Sequence, residues 1–242
     1  MDLAGRVALV TGAGRRLGQA LAIGVARAGC DVAVHYHTSV ADAEATARAV
    51  RDAGRRAELL PGDLRDPGVA RALPDRAATA LGRLDVLVNS AAVMVRREFD
   101  AVTPEDWNDA LALNLTAAFF TSQGAAPHLR KTRGKIINLA DIAGFEVWPA
   151  YLPLNVSKAG MVMLTKGLAR VLAPEIAVNA VAPGAVLPPA DWPAEARAHL
   201  ADTTPLKRLG APEDVVRAVL FLLEHDYITG TVLPVDGGRL IR

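Results

Sequence analysis

Four apolar residues, Val7-Ala8-Leu9-Val10, run directly into Thr11-Gly12-Ala13-Gly14-Arg15-Arg16-Leu17-Gly18, and apolar residues then recur at helical spacing from Leu17 to Ala28. A strand that ends in glycines and restarts as a helix presents unpaired backbone amides at the helix N-terminus, where the aligned peptide dipoles favour an anion. Glycine at these places permits a tight turn and close approach of the backbone to a pyrophosphate. The spacing is Gly-x-Gly-x-x-x-Gly, not the Gly-x-Gly-x-x-Gly of the general dinucleotide fingerprint. The position of the turn after a first strand predicts a dinucleotide site formed by Gly12, Gly14, Arg15, Arg16, Leu17 and Gly18.

The rest of the chain repeats this alternation. Short apolar or β-branched runs are read as strands at Arg6 to Thr11, Asp31 to Tyr36, Arg56 to Pro61, Leu84 to Asn89, Lys135 to Ala140, Ala177 to Ala182 and Thr231 to Val235, with alanine-rich helical stretches between them. Strands alternating with helices predict an α/β fold of the Rossmann type, a doubly wound parallel seven-stranded sheet with helices on both faces. A chain of 242 residues buries a full core in one domain, so 1–242 is read as a single unit. Pro183 to Pro205 breaks the pattern with several prolines and a short helix-like piece, Ala194 to Ala201, and a substrate loop is expected over about 184–208.

Composition narrows the function classes. Hydrophobic residues make up 51% of the chain and charged residues 22%, with a net charge of +1 and no long single-sign run, which argues against disorder and against nucleic-acid binding. Cys30 is the single cysteine, so no intramolecular disulfide or cysteine-based metal cluster forms, and a reducing compartment fits. His128, His199 and His225 lack metal-ligand spacing, and no metal is expected. Neither a signal-peptide pattern nor a membrane-length apolar run is present, which predicts a soluble, cytoplasmic protein. Thr103 reads as a cap ahead of Pro104, and Trp107 as a helix residue packing on a neighbour.

The nucleotide is chosen at the end of the second strand, where an NAD-binding chain carries an acid for the ribose 2′-hydroxyl. Here the strand ends His35-Tyr36-His37-Thr38-Ser39, without an acid. Arg15, His37, Thr38 and Ser39 offer one fixed charge and several hydrogen-bond donors to a 2′-phosphate, which favours NADP(H).

Further landmarks follow in order: Asp63-Leu64 after the third strand, Asn89-Ser90-Ala91-Ala92 after the fourth, Asn114 in Leu113-Asn114-Leu115, Asn155-Val156-Ser157-Lys158, Pro183-Gly184, and Ile228-Thr229-Gly230 through Asp236-Gly237-Gly238. With the glycine turn, these resemble the short-chain dehydrogenase/reductase family over nearly the whole chain. Within it, Arg16, the His35 to Ser39 tip, Asp141 and the ending Leu233-Pro234-Val235-Asp236-Gly237-Gly238-Arg239 look most like the pteridine reductase and dihydromonapterin reductase branch. The resemblance implies that Asp63 and Leu64 flank the adenine, that Asn89 and Ala91 close over the cofactor, that Pro183 and Gly184 lead into the nicotinamide loop, and that Asn114 holds a water in a proton relay. It also implies a homotetramer or dimer.

The family's catalytic set is a Ser or Asp at the end of the fifth strand and a Tyr-x-x-x-Lys at the start of the next helix. Lys158 is present, but Leu154 stands four residues before it, and leucine transfers no proton. Three readings stay open. Tyr151 substitutes from the preceding loop, if it folds back past Pro153. Asp141 is the acid, its carboxyl kept protonated by an apolar site against the opposing charge of Lys158. Or the chain binds NADP(H) with little or no turnover. A C=N bond relaxes the need for an immediate proton, so a pterin-like or imine substrate suits Asp141 better than a simple ketone. Met94 takes the place where those relatives stack an aromatic residue on the pterin, and Phe145 and Trp148 are candidates for an aromatic wall around the small-molecule substrate.

Overall fold

The computed structural model describes residues 1–188 and 192–241. Among these, seven strands form one parallel sheet: β1 (Val7–Val10), β2 (Asp31–Tyr36), β3 (Ala57–Pro61), β4 (Val86–Asn89), β5 (Lys135–Leu139), β6 (Ala177–Pro183) and β7 (Val232–Val235). Their order is β3-β2-β1-β4-β5-β6-β7, so the chain winds outward from β1 first to one side and then to the other. Every expected strand is present, several trimmed by one or two residues because the flanking positions turn before pairing ends. The central strands β1, β4 and β5 are buried along their whole length, as a parallel sheet covered on both faces requires.

The helices are α1 (Arg16–Arg27), α2 (Val40–Asp52), α3 (Pro67–Leu81), α4 (Pro104–Leu111), α5 (Ala117–Thr132), α6 (Leu152–Leu172), α7 (Ala194–Asp202) and α8 (Pro212–Glu224). Side-chain alternation along each strand divides the core in two. Ala8, Val10, Val32 and Val34 join Leu21, Val25, Val215 and Val219 on the α1 and α8 side, while Val7, Leu9, Ala33 and Leu87 join Leu73, Leu129 and Leu172 on the α3, α5 and α6 side. The helix piece expected at Ala194 to Ala201 is α7. Residues 189–191 of the expected substrate loop lie outside the described residues. No described helix is long and apolar enough to cross a membrane.

A doubly wound sheet opens a crevice beyond the C-terminal ends of its strands, where the winding reverses beside β1. The glycine turn, the β2 tip and the ends of β4 and β5 all converge there.

Candidate active site

The turn after β1 is fixed from two sides. Thr11 Oγ1 accepts the amides of Ser90 at 2.9 Å and Ala91 at 3.1 Å, tying the turn to the end of β4. On the other side His35 contributes its carbonyl to the Ala13 amide at 2.8 Å and its ring Nδ1 to the Gly12 amide at 3.1 Å. Gly12 has φ +64°, and a Cβ there would lie 2.8 Å from the Ala91 Cα. At Gly18 a Cβ would lie 2.1 Å from the Gly12 carbonyl oxygen. The glycines are therefore required by backbone approach, and the approach leaves the N-terminus of α1 open: Arg15 makes no side-chain cap and no acid occupies the first turn. That arrangement suits a pyrophosphate.

The turn forms one wall of a cleft of about 770 Å³, a volume suited to a cofactor and a small substrate. Of the residues expected at the nucleotide, Gly12, Gly14, Arg15, Arg16, Leu17, Gly18, His37, Thr38, Ser39, Asp63, Leu64, Ala91, Lys158, Pro183 and Gly184 line it. Asn89 does not. Its side chain is buried, giving hydrogen bonds to Asn138 at 2.9 Å and Ser122 at 3.2 Å and accepting one from Thr121 at 2.7 Å, so it braces β4 against β5 and α5 from beneath.

The fold adds an acid that the strand tip lacked. Asp63 lies 3.9 Å from His37 Nε2 and is bound by Arg65 at 3.0 Å. Burial works to raise the Asp63 carboxyl, but the Arg65 hydrogen bonds outweigh it and hold the group below its usual range. Arg65 thus offsets the charge Asp63 brings to this end of the cleft.

At the other end, Asp141, Trp148, Tyr151, Leu154 and Lys158 share the same cleft with Met94. Asp141 caps a short 3-10 turn, Ile142–Gly144, with one oxygen on the Ala143 amide at 2.8 Å. Burial raises its carboxyl above the ordinary value, opposed by Lys158 and by that amide. Lys158 is 4% exposed and donates to the Leu139 carbonyl at 2.6 Å. Burial lowers its ammonium, with Asp141 opposing. The loop from Asp141 is pressed onto α6 by Gly144, where a Cβ would meet the Lys158 carbonyl at 2.8 Å, and by Asn155, whose amide donates to Ala143 and Glu146 carbonyls at 2.7 and 2.8 Å.

Leu154 is 3% exposed and lines the cleft one helical turn before Lys158. Tyr151 stands one turn earlier still. The helix begins at Leu152, ahead of Pro153, and Tyr151 ends a 3-10 turn, Pro149–Tyr151, that leads straight into it. No fold-back is needed: a continuous turn delivers the side chain to the cleft, edge-on to Trp148 with ring centroids 6.0 Å apart. Trp148 is itself anchored by its indole N–H on Glu146 at 2.6 Å. Phe145, expected as a second wall, is 49% exposed and does not line the cleft. Asn114 is fully buried where the chain widens into a π-helical segment, Ala112–Thr116. Its side chain accepts the Val93 amide at 2.8 Å and donates to the Val93 carbonyl and Ser157 Oγ, both at 3.0 Å, which leaves one carbonyl lone pair for the expected water.

A family model described as enoyl-(acyl carrier protein) reductase matches residues 12–239. The chain belongs to the short-chain dehydrogenase/reductase family. It is 41% identical, over 96% of its length and 95% of the relative's, to a Streptomyces violaceoruber protein assigned as ketoacyl reductase 2 of the granaticin polyketide synthase. It is 37% identical to 3beta-hydroxysteroid dehydrogenase 1 of Eggerthella lenta, covering 99% and 95% of the two chains. A short-chain dehydrogenase/reductase of Serratia marcescens superposes with a TM-score of 0.93 at 33% identity over 99% of this chain and 100% of that one. A metagenomic blue fluorescent protein in complex with NADPH gives 0.92 at 32% identity, over 99% of both. The relatives are oxidoreductases, and the family uses a nicotinamide cofactor.

Among the lining residues that the motifs do not single out are Arg65 and His35, and Leu187 and Trp192 of the expected substrate loop line the cleft too. Arg16 has φ +55° and reaches across to donate to the Leu187 carbonyl, so the segment after β6 is tied to the glycine turn. Loop residues carry no periodic signal for such a contact. His35 did carry one, since strand alternation places it on the buried face with Ala33, where a histidine needs partners for both nitrogens.

Proposed function

We propose that this short-chain family member is an NADPH-dependent reductase that transfers hydride to a small C=O or C=N compound. The observation that carries the reading is that one cleft joins an uncapped glycine turn and an arginine-bearing end to an end lined by half-buried Asp141 and buried Lys158. Arg15, His37, Thr38 and Ser39 would meet the 2′-phosphate, Lys158 the ribose, and Asn114 a water through its remaining lone pair. Bound NADPH supplies the hydride from its nicotinamide. The chain supplies the proton, from Asp141, which desolvation keeps protonated to higher pH, or from the Tyr151 phenol in the same cleft.

Relatives named for ketoacyl and hydroxysteroid chemistry support a carbonyl or alcohol at the reacting carbon. Arg16, Asp141 and the β2 tip support the pteridine reductase branch and a flat pterin-like ring against Met94 and Trp148. The exposed apolar side chains Phe119, Val156 and Met163 on α5 and α6 support a homo-oligomer, dimer or tetramer. The buried Cys30, its thiol pushed up to about 12 mainly by burial, suits a cytoplasmic protein.

A second reading is favoured by Leu154: with an apolar residue four positions before the lysine, the fold binds NADP(H) with little turnover. Two measurements separate these. Parallel titrations with NADPH and NADH should show NADPH bound at least about tenfold tighter; equal affinities overturn the cofactor assignment. Single-turnover oxidation of NADPH against ketone, imine and dihydropterin panels should show hydride transfer to one class. Tight NADPH binding with no transfer to any of them establishes the second reading.

A further inference from the structure

His35, the fifth of six residues in β2, is 2% exposed and makes three contacts with the cofactor end of the fold. Its carbonyl accepts from the Ala13 amide, its ring Nδ1 accepts from the Gly12 amide at 3.1 Å, and its Nε2 lies 3.1 Å from the Gly62 carbonyl just past β3. An amide only donates and a carbonyl only accepts. The two ring contacts therefore fix one tautomer, with the proton on Nε2 and Nδ1 bare. Charging the ring would set an Nδ1 proton against the Gly12 N–H.

The surroundings oppose that charge. Burial, with the nearby charges of Arg76 from α3 and of His37, brings the imidazole down to about 4, against the Gly62 hydrogen bond and Asp63. The neutral form thus persists across the working range. Because His35 uses both the Gly12 and Ala13 amides, the donors left for a phosphate are those from Gly14 onward, at the open N-terminus of α1.

We propose that His35 is a positioning residue for nucleotide binding: its ring holds Gly12 against β2 and the end of β3, so that the amides from Gly14 onward face a dinucleotide pyrophosphate. The inference rests on the nucleotide reading above, and a dissection of the two ring nitrogens tests it. His35→Asn places a carboxamide oxygen where Nδ1 stands and keeps the Gly12 contact. His35→Gln reaches the place of Nε2 and keeps only Gly62. His35→Phe keeps the volume and neither bond.

NADP⁺ dissociation constants are measured by calorimetry at pH 7, with hydrogen exchange of the Gly12 amide and apo melting temperatures on the same proteins. The expected result is affinity within about threefold of wild type for Asn, and a loss of about tenfold or more for Gln and Phe, with the Gly12 amide slow in wild type and Asn and fast in the other two. Losses that follow melting temperature across all three variants, with Gly12 exchange unchanged, overturn the role of His35. So does unchanged affinity in Gln and Phe. A wild-type protein that binds no NADP⁺ while its Gly12 amide exchanges slowly overturns the nucleotide reading instead.

Discussion

Replacing Gly18 by alanine puts the phosphate turn to a test that a matched substitution elsewhere makes decisive. A Cβ at Gly18 would lie 2.1 Å from the Gly12 carbonyl oxygen, 2.8 Å from its carbon and 3.2 Å from the Ala13 Cα. All three are backbone atoms, so no rotamer relieves the overlap. Gly124, in α5, faces an equal clash, with a Cβ 2.0 Å from the Arg71 carbonyl oxygen of α3. Both variants exchange a helical glycine for alanine, which on propensity alone gains about 1 kcal/mol. Overpacking costs about 1–3 kcal/mol. The net loss is then at most about 2 kcal/mol, or roughly 4–8 °C in a chain of this size. The two sites differ in what must move. Relief at Gly18 displaces the Gly12–Ala13 peptide and the amides after it, whereas relief at Gly124 separates two helices remote from the cleft. Gly18→Ala should therefore raise the NADP⁺ dissociation constant at least about tenfold, or 1.4 kcal/mol, and Gly124→Ala should leave it unchanged at a similar melting temperature. Calorimetric titration and thermal denaturation of both variants supply the readout. Equal affinity losses in the two, or an unaffected affinity in Gly18→Ala, would refute the reasoning.

Arg15→Ala should weaken NADPH about tenfold through loss of a charge-assisted contact while sparing NADH; parallel titrations check it, and equal losses count against a 2′-phosphate at this arginine. Asp141→Asn should stabilise the apo protein at neutral pH. Desolvation raises the Asp141 carboxyl, so between its unfolded and folded values the native state holds a proton that the unfolded chain has released, and stability falls as pH rises through that window. Denaturant melts at pH 4 and pH 8 should show the variant's advantage only at the higher pH. If one of the two candidate donors protonates substrate, its removal should lower single-turnover rates by about 10²–10⁴. Comparing Asp141→Asn with Tyr151→Phe at matched cofactor saturation identifies which.

Much of the architecture is legible in the chain because it rests on local rules. Strand runs such as Asp31–Tyr36 are bounded by turn residues, and crossover helices force the parallel order. The glycine turn is legible for the same reason. What fails to show is whatever depends on distant partners. Asn89 reads as a cleft residue but sits beneath it, because Thr121, Ser122 and Asn138 are brought to it by α5 and β5. Phe145 reads as a wall but turns outward, since its loop is held down by Asn155. The acid near the β2 tip comes from Asp63, twenty-six positions beyond His37, through pairing of β2 with β3. Tyr151 reads as a loop residue that must fold back past Pro153, whereas the helix begins one residue before that proline, which the first helical turn accommodates.

The allocation of helix caps gives an independent argument about where an anion belongs. α3 is capped by Asp66, which accepts the Gly68 and Val69 amides, and α4 by Thr103 with Asp106 completing the box. Asp214 returns to the Ala211 amide at the start of α8 and carries a carboxyl well below the usual range through its bonds to Arg208, that amide and Arg217. α1 and α2, which both start at the cleft, lack a side-chain cap. α1 begins without an acid and with Arg15 and Arg16 against the positive end of the dipole, whereas at α2 Ser39 makes no cap hydrogen bond but Asp42 lies in the first turn. An absent cap costs about 0.5–2 kcal/mol, and each misplaced charge about 0.3–1 kcal/mol. α6 and α7 also start without a side-chain cap, so it is α1, with two arginines and no acid at its start, whose terminus calls most for something negative. A pyrophosphate at the glycine turn would complete it and a 2′-phosphate would meet Arg15, so NADP⁺ should raise the melting temperature more than NAD⁺ at equal ligand concentration, and equal rises would undo the argument.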